Sequence, residues 1–266
     1  MPERILGAIP SPTDVRDYRI ATVAGDLPTE YSCEHVKIKN QGGVGSCVAH
    51  ALAEVVEWHA IHEGTSDESR STDFIYGNRR NTAYKNTGMV VREAIASIVK
   101  YGDCLEVELP GNHEVPKSIE IFEKNVDSLR DIAYPYRFSA YVRLNGEKEI
   151  KTALMNYGPV VIVAPWFEDI HYENGVLDSA SRGKYGGSHC MMIYGWTADG
   201  WLVQNSWGVR WGNKGCCTMP FDFPFSEAWG IIDDIRDDSY TKPFKSKLGS
   251  LLARFINWLV NSLRKS

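Results

Sequence analysis

No uninterrupted apolar run of about 18 residues occurs in this chain of 266, so no membrane-spanning helix is encoded. Cysteine is scarce as well. Six are too few for a disulfide scaffold, and the adjacent Cys216 and Cys217 are awkwardly spaced for two separate bridges, so most should be free thiols. Positive charge is not in excess: Lys plus Arg number 29 against 34 Asp plus Glu, a net charge of −5 whose field disfavours nucleic acid as a partner. The opening Met1-Pro2-Glu3-Arg4-Ile5-Leu6 lacks the basic segment and apolar run of a classical secretion signal. Internal repeats and low-complexity tracts are missing too. What is there, 43% hydrophobic and 24% charged residues, is the composition of an ordinary globular protein, and the missing secretion signal leads us to expect it inside the cell, in the cytoplasm or associated with a membrane.

Residues 1–32 read as a strap rather than a domain, because Pro2, Pro10 and Pro12 and the Ser11-Pro12-Thr13-Asp14 stretch favour turns and extended chain. From Cys47 onward Ala51, Leu52, Val55, Val56 and Ala60 recur at helical spacing, and Ser46 is suited to cap the first turn, which predicts a buried helix starting at Cys47. A second helix follows Gly88, with Val91, Ala94, Ile95, Ile98 and Val99 on one face and a stop at Gly102. A third covers Glu149 to Tyr157 and ends at Gly158-Pro159. The grammar then changes to short apolar runs, Pro159 to Ala164, Cys190 to Tyr194 and Trp201 to Gln204, which read as strands. Helices first and strands second predict an α+β protein with a core in each half and a binding cleft between them. At the far end Thr241 to Ser266 carries Lys242, Lys245, Lys247, Arg254, Arg264 and Lys265 and no acid, with Leu248, Leu251, Leu252, Phe255, Leu259 and Leu263 at helical spacing. This tail, 241–266, is expected to form a basic amphipathic helix for an anionic membrane surface or a protein partner, or one packed on its own domain.

The chemistry concentrates at Gln41-Gly42-Gly43-Val44-Gly45-Ser46-Cys47, where a glycine-rich approach puts a thiol at a helix start. Backbone N–H groups there favour the thiolate, the nucleophilic form of cysteine. The helix dipole supplies at most about 2 kcal/mol, or about 1.5 pKa units, too little to ionise an ordinary thiol near pH 6. A cationic partner is therefore required. His189 suits best, since Gly186-Gly187-Ser188-His189 opens an apolar strand after a flexible approach. His50, one turn from Cys47, reads as a core residue, and His59 and His62 lack a second pair of ligands at zinc spacing, so no metal and no cofactor is expected. Asn205-Ser206-Trp207-Gly208 follows His189.

In this order and spacing the chain resembles the papain-like cysteine peptidases, with Gln41 six positions before Cys47 and His189 142 after it. The resemblance covers roughly Leu27 to Asp234 and includes Asn86-Thr87-Gly88, where the family has an Asn-Gly-Gly segment beside the substrate. Val44 and Val48 stand where a disulfide cysteine and a tryptophan are usual. The opening Ser11 to Tyr18 looks like the divergent bacterial and viral branch, and residues 1–40 are too short for the long inhibitory prodomain familiar in the family. The resemblance implies a two-lobed fold, a helical N-terminal lobe at about 33–132 and an antiparallel β-barrel-like C-terminal lobe at about 133–240, with the active site in the cleft between them. It implies a monomeric peptidase acting on polypeptide, with Cys47, His189 and Asn205 as the catalytic set and Trp207 covering the His189–Asn205 bond. Gln41 and the Cys47 backbone N–H would form the oxyanion hole. Asn86, Gly88, Met89, Val163 and Cys190 are the implied substrate-binding residues, the last three suggesting an apolar pocket. An inactive binding scaffold, or a thiol acyltransferase or isopeptidase, remains as the alternative.

Overall fold

In the computed structural model the described residues are 5–15, 17–22, 25–79, 88–111, 115–173, 175–178 and 183–233. Asn86 and the basic tail 241–266 lie outside them. The chain begins with two short strands, β1 (Ala8–Ile9) and β2 (Tyr31–Ser32), then builds a helical lobe from α1 (Cys47–His62), α2 (Thr72–Gly77), the short strand β3 (Met89–Val90), α3 (Val91–Tyr101) and α4 (Val115–Ala133). The second lobe holds β4 (Ala140–Leu144), α5 (Gly146–Tyr157), β5 (Val160–Phe167), β6 (Tyr172–Glu173), β7 (Val176–Leu177), β8 (Tyr185–Thr197), β9 (Gly200–Gln204), β10 (Cys216–Met219) and β11 (Glu227–Ile232). The strands run in the order β4-β11-β5-β8-β9-β10-β7-β6, with β2 added beside β8. All pairings in this sheet are antiparallel except β10 with β7.

The central strands read as continuous apolar runs because both their faces are covered. Side chains alternate across a strand, so Val161 and Val163 of β5 and Cys190 and Met192 of β8 join the core shared with α1 and α3. Their neighbours Val160, Ile162, Ala164, Met191 and Ile193 join a second core on the other face, closed by Ile150, Ala153 and Leu154 of α5. Cys47 begins α1 as the periodicity predicts, and Gly102, at φ 76°, ends α3. Two local expectations change. Ser46 makes no cap, because its hydroxyl lies 3.2 Å from His50 Nδ1, a competing partner one turn along. His189 does not open its strand but sits inside it, since β8 already begins at Tyr185.

The strap is tied down rather than draped. β1 pairs in parallel with β3, β2 pairs with β8, Arg143 N–H donates to Tyr18 O, and Trp196 Nε1 donates to Pro28 O. Asp17 forms the firmest of these ties. Its carboxylate accepts from Arg92 Nε at 2.9 Å and Nη2 at 2.6 Å, and Arg143 Nη1 stands 3.6 Å away, so one residue bridges α3 of the helical lobe and β4 of the sheet.

Candidate active site

Cys47 is fully buried at the first position of α1. Burial pushes its thiol above the ordinary value, while the backbone N–H groups of Cys190, Gly7, Val48 and Cys47 itself pull it back. The Cys190 amide brings β8 to the helix start, and His189 is the preceding residue on that strand. His189 Nε2 lies 2.8 Å from Asn205 Oδ1, which also accepts the Ser206 N–H at 2.7 Å. This bond assigns Nε2 to the asparagine and sets the orientation of the ring and of its other nitrogen, Nδ1. Trp207 stacks on the imidazole with ring centres 4.4 Å apart and planes at 22°, shielding the His189–Asn205 bond from water.

Gln41 reaches the site from the loop ahead of α1. Its Nε2 donates to Val44 O at 2.9 Å and Ile5 O at 3.2 Å, and its Oε1 accepts from Ser206 Oγ at 2.7 Å. Ser206 thus fixes which end of the amide faces the cleft, since a hydroxyl donating to Oε1 leaves Nε2 to donate outward. The motif contained Ser206, yet its sequence position alone assigns it no partner. Met89, Val163 and Cys190 are buried in one cluster, and Gly88, at φ 75°, leads into β3.

Two neighbours carry no sequence signal. Trp166 meets His189 edge-on at 5.4 Å and Trp207 at 5.0 Å, extending the aromatic wall toward Trp211. Glu227 pairs across β11 and β5 with Val163 and is buried, accepting the Ser11 N–H and Trp229 Nε1, each at 2.8 Å. A buried carboxylate thus stands beside Val163, one of the three implied apolar residues. His62 lies flat on Trp58, and no group of three or more His, Cys, Asp or Glu fit to hold a metal occurs among the described residues. All six cysteines are free thiols.

The strap enters this same space. Leu6 packs against Gly187, Gly7 O accepts the Met89 N–H at 2.8 Å, and Ala8 belongs to the buried cluster of Met89, Val163 and Cys190.

The family model described as papain family cysteine protease matches residues 26–223. A cathepsin B-like cysteine proteinase 3 of Caenorhabditis elegans is 30% identical over 211 residues, 69% of this chain and 57% of that protein. A cysteine protease of Blomia tropicalis is 27% identical over 213 residues, 72% of this chain and 60% of its own length. The chain thus spans about three fifths of these two curated relatives. Xylellain, a cysteine protease from Xylella fastidiosa, superposes with a TM-score of 0.79 at 23% identity, covering 87% of this chain and 97% of the other.

Proposed function

We propose a function from one premise: the chain belongs to the papain family of cysteine proteases. Its reaction is hydrolysis of peptide bonds through a thioacyl-enzyme on Cys47. His189 Nδ1 takes the thiol proton, and the thiolate attacks the scissile carbonyl carbon. The oxyanion that forms is held by Gln41 Nε2 and the Cys47 backbone N–H, donors worth about 3–4 kcal/mol each in comparable sites. The imidazolium returns its proton to the leaving amine as the C–N bond breaks. Water then gives a proton to His189, attacks the thioester and releases the acid and the thiol. Asn205 keeps Nε2 protonated and the ring in plane throughout, and Trp207 keeps competing water from that bond.

The observation that carries this reading is the 2.8 Å His189–Asn205 bond under Trp207, beside a helix-start thiol. Cleavage of a diverse peptide library by the protein and by Cys47→Ala tests it. Loss of all cleavage in the folded variant is expected, whereas cleavage at the wild-type rate would refute it. Product masses measured with and without an amine acceptor separate hydrolysis from acyl transfer. A folded protein inert in both assays would be a binding scaffold.

A further inference from the structure

Where His189 protonates the leaving amine, the C-terminal half of a productive substrate must lie on the His189 side of Cys47, and strand register fixes which residues await it there. β5 and β8 pair Ala164 with His189, Pro165 with Ser188 and Trp166 with Gly187. Side chains of one face recur every second residue, and directly opposite residues point the same way, so Ala164, Trp166, Gly187 and His189 share a face. The imidazole therefore has an indole on the neighbouring strand beside it and, across from that indole, a residue with no side chain. A cross-strand partner ordinarily covers a ring in such a pair. Gly187 leaves it uncovered.

Trp166 is held firmly for a residue that is only half-buried. Its ring stands nearly perpendicular to both members of the His189–Trp207 stack, at 74° and 5.4 Å from the one and 86° and 5.0 Å from the other. The gap opposite is sized by what now lies in it. A Cβ built on Gly187 (φ 146°) would come within 3.1 Å of Leu6 Cβ and 3.2 Å of its Cδ1, and one on Gly186 within 3.7 Å of the same Cδ1. An isobutyl group thus rests where Gly187 has nothing. Charge does not compete for the place: Glu168, whose Cγ would lie 3.9 Å from a Cβ on Gly186, is paired with Lys184 at 3.3 Å.

We propose that Trp166 and Gly187 set the selectivity of this protein on the leaving side of the cut, the gap between them taking a leucine-sized aliphatic side chain from the residue that follows the scissile bond. Such a side chain covers the bare indole and removes apolar surface of both from water. Glycine in that place gains nothing, and a charged side chain gives up hydration against a ring and finds no unpaired partner. His189, Asn205 and Trp207 serve any polypeptide equally. Trp166 opposite Gly187 adds a choice among them.

This proposal rests on the peptidase reading, and the fate of the acyl-enzyme keeps the two apart. Full-length protein is acylated at Cys47 with a peptide ester in the presence of leucinamide, glycinamide or lysinamide. The amine attacks the thioester carbonyl carbon, its proton passes through His189 to the departing sulfur, and an amide forms in place of the acid that water gives. Mass spectrometry counts amide against acid, a ratio from which the rate of acylation cancels. Leucinamide should be favoured at least about tenfold over glycinamide and over lysinamide. In Trp166→Ala the preference should shrink to about threefold or less, and Trp166→Phe should keep most of it. Gly186→Val serves if Trp166→Ala does not fold: its Cβ meets nothing closer than 3.6 Å, and it narrows the same gap, so it should lower transfer to leucinamide and spare glycinamide. Equal transfer to the three amines, acid alone with every amine, or a preference unchanged in the folded variants would overturn the selectivity and leave the peptidase standing. Absence of any acyl-enzyme in the folded proteins would overturn the peptidase reading, and the selectivity with it.

Discussion

Replacing Asn205 by alanine removes one oxygen that serves two buried donors. Oδ1 lies 2.8 Å from His189 Nε2 and 2.7 Å from the Ser206 nitrogen, and neither His189 nor Asn205 is exposed. A buried donor left without an acceptor costs about 1–3 kcal/mol, so the variant should lose at least about 2 kcal/mol of stability, read by urea unfolding. The catalytic effect is separate. In the reaction the His189 bond becomes charge-assisted, worth about 1.5–3 kcal/mol, so its absence should lower kcat/KM about 10- to 150-fold, measured on folded protein. Ring stacking on Trp207 at 4.4 Å survives the substitution and limits the damage to rotation within the ring plane. Asn205→Asp keeps an acceptor and should recover part of the rate. A fall of less than about threefold, alongside the full loss of stability, would show that Asn205 braces the fold without orienting the imidazole.

Gln41→Ala should lower kcat about a hundredfold rather than abolish turnover, because the Cys47 N–H donor remains; complete loss in a folded variant, or none, would remove Gln41 from the oxyanion site. Stability should fall between about pH 4 and pH 8. Burial, helped by the like charge of Glu57, pushes the Glu54 carboxyl up to about 8 against Lys39 and Gln204, and pushes Asp103 up to about 8 against Arg70 and Lys39. The folded state therefore holds protons that the unfolded chain releases. The protonated-state contribution is present below the unfolded values and lost as pH rises through about 8, at up to about 1.4 kcal/mol per pH unit for each group. Urea unfolding at pH 5 and 8.5 should show this fall, with Glu54→Gln flattening it; a wild type as stable at pH 8.5 as at pH 5 would refute it.

Legibility in the sequence followed the range of the physical signal. The start of α1 was readable because Ala51, Leu52, Val55 and Val56 lie within a few turns of Cys47, and β5 and β8 because each is apolar on both faces. α4 went unread, although Ile119, Phe122, Leu129 and Ala133 are buried in it. Its apolar residues are diluted by charge, and the helix is broken in geometry at Asn125 (φ −126°). Glu54 and Glu57 look like a solvated face in any helical projection, yet both are buried, because Lys39, 2.9 Å from Glu57, arrives from the loop ahead of the helix. No local pattern announces a partner that comes from another element.

The same limit hid where the strap runs. Its prolines and turns read as extended chain, but β1 and β3 have two residues each, too short for strand periodicity, and their pairing joins Ala8 to Met89. The Gly-rich approach to Cys47 carries a double requirement that sequence reading separates only in part. Near the thiol, glycine leaves the helix start open to a carbonyl; where the strap passes this approach, Gly7 must itself be glycine, since a Cβ there would overlap the backbone of Gly45. The close approach of Gly7 to both Gly45 and Gly88 joins three segments far apart in sequence, and no local pattern at any one of them announces the other two.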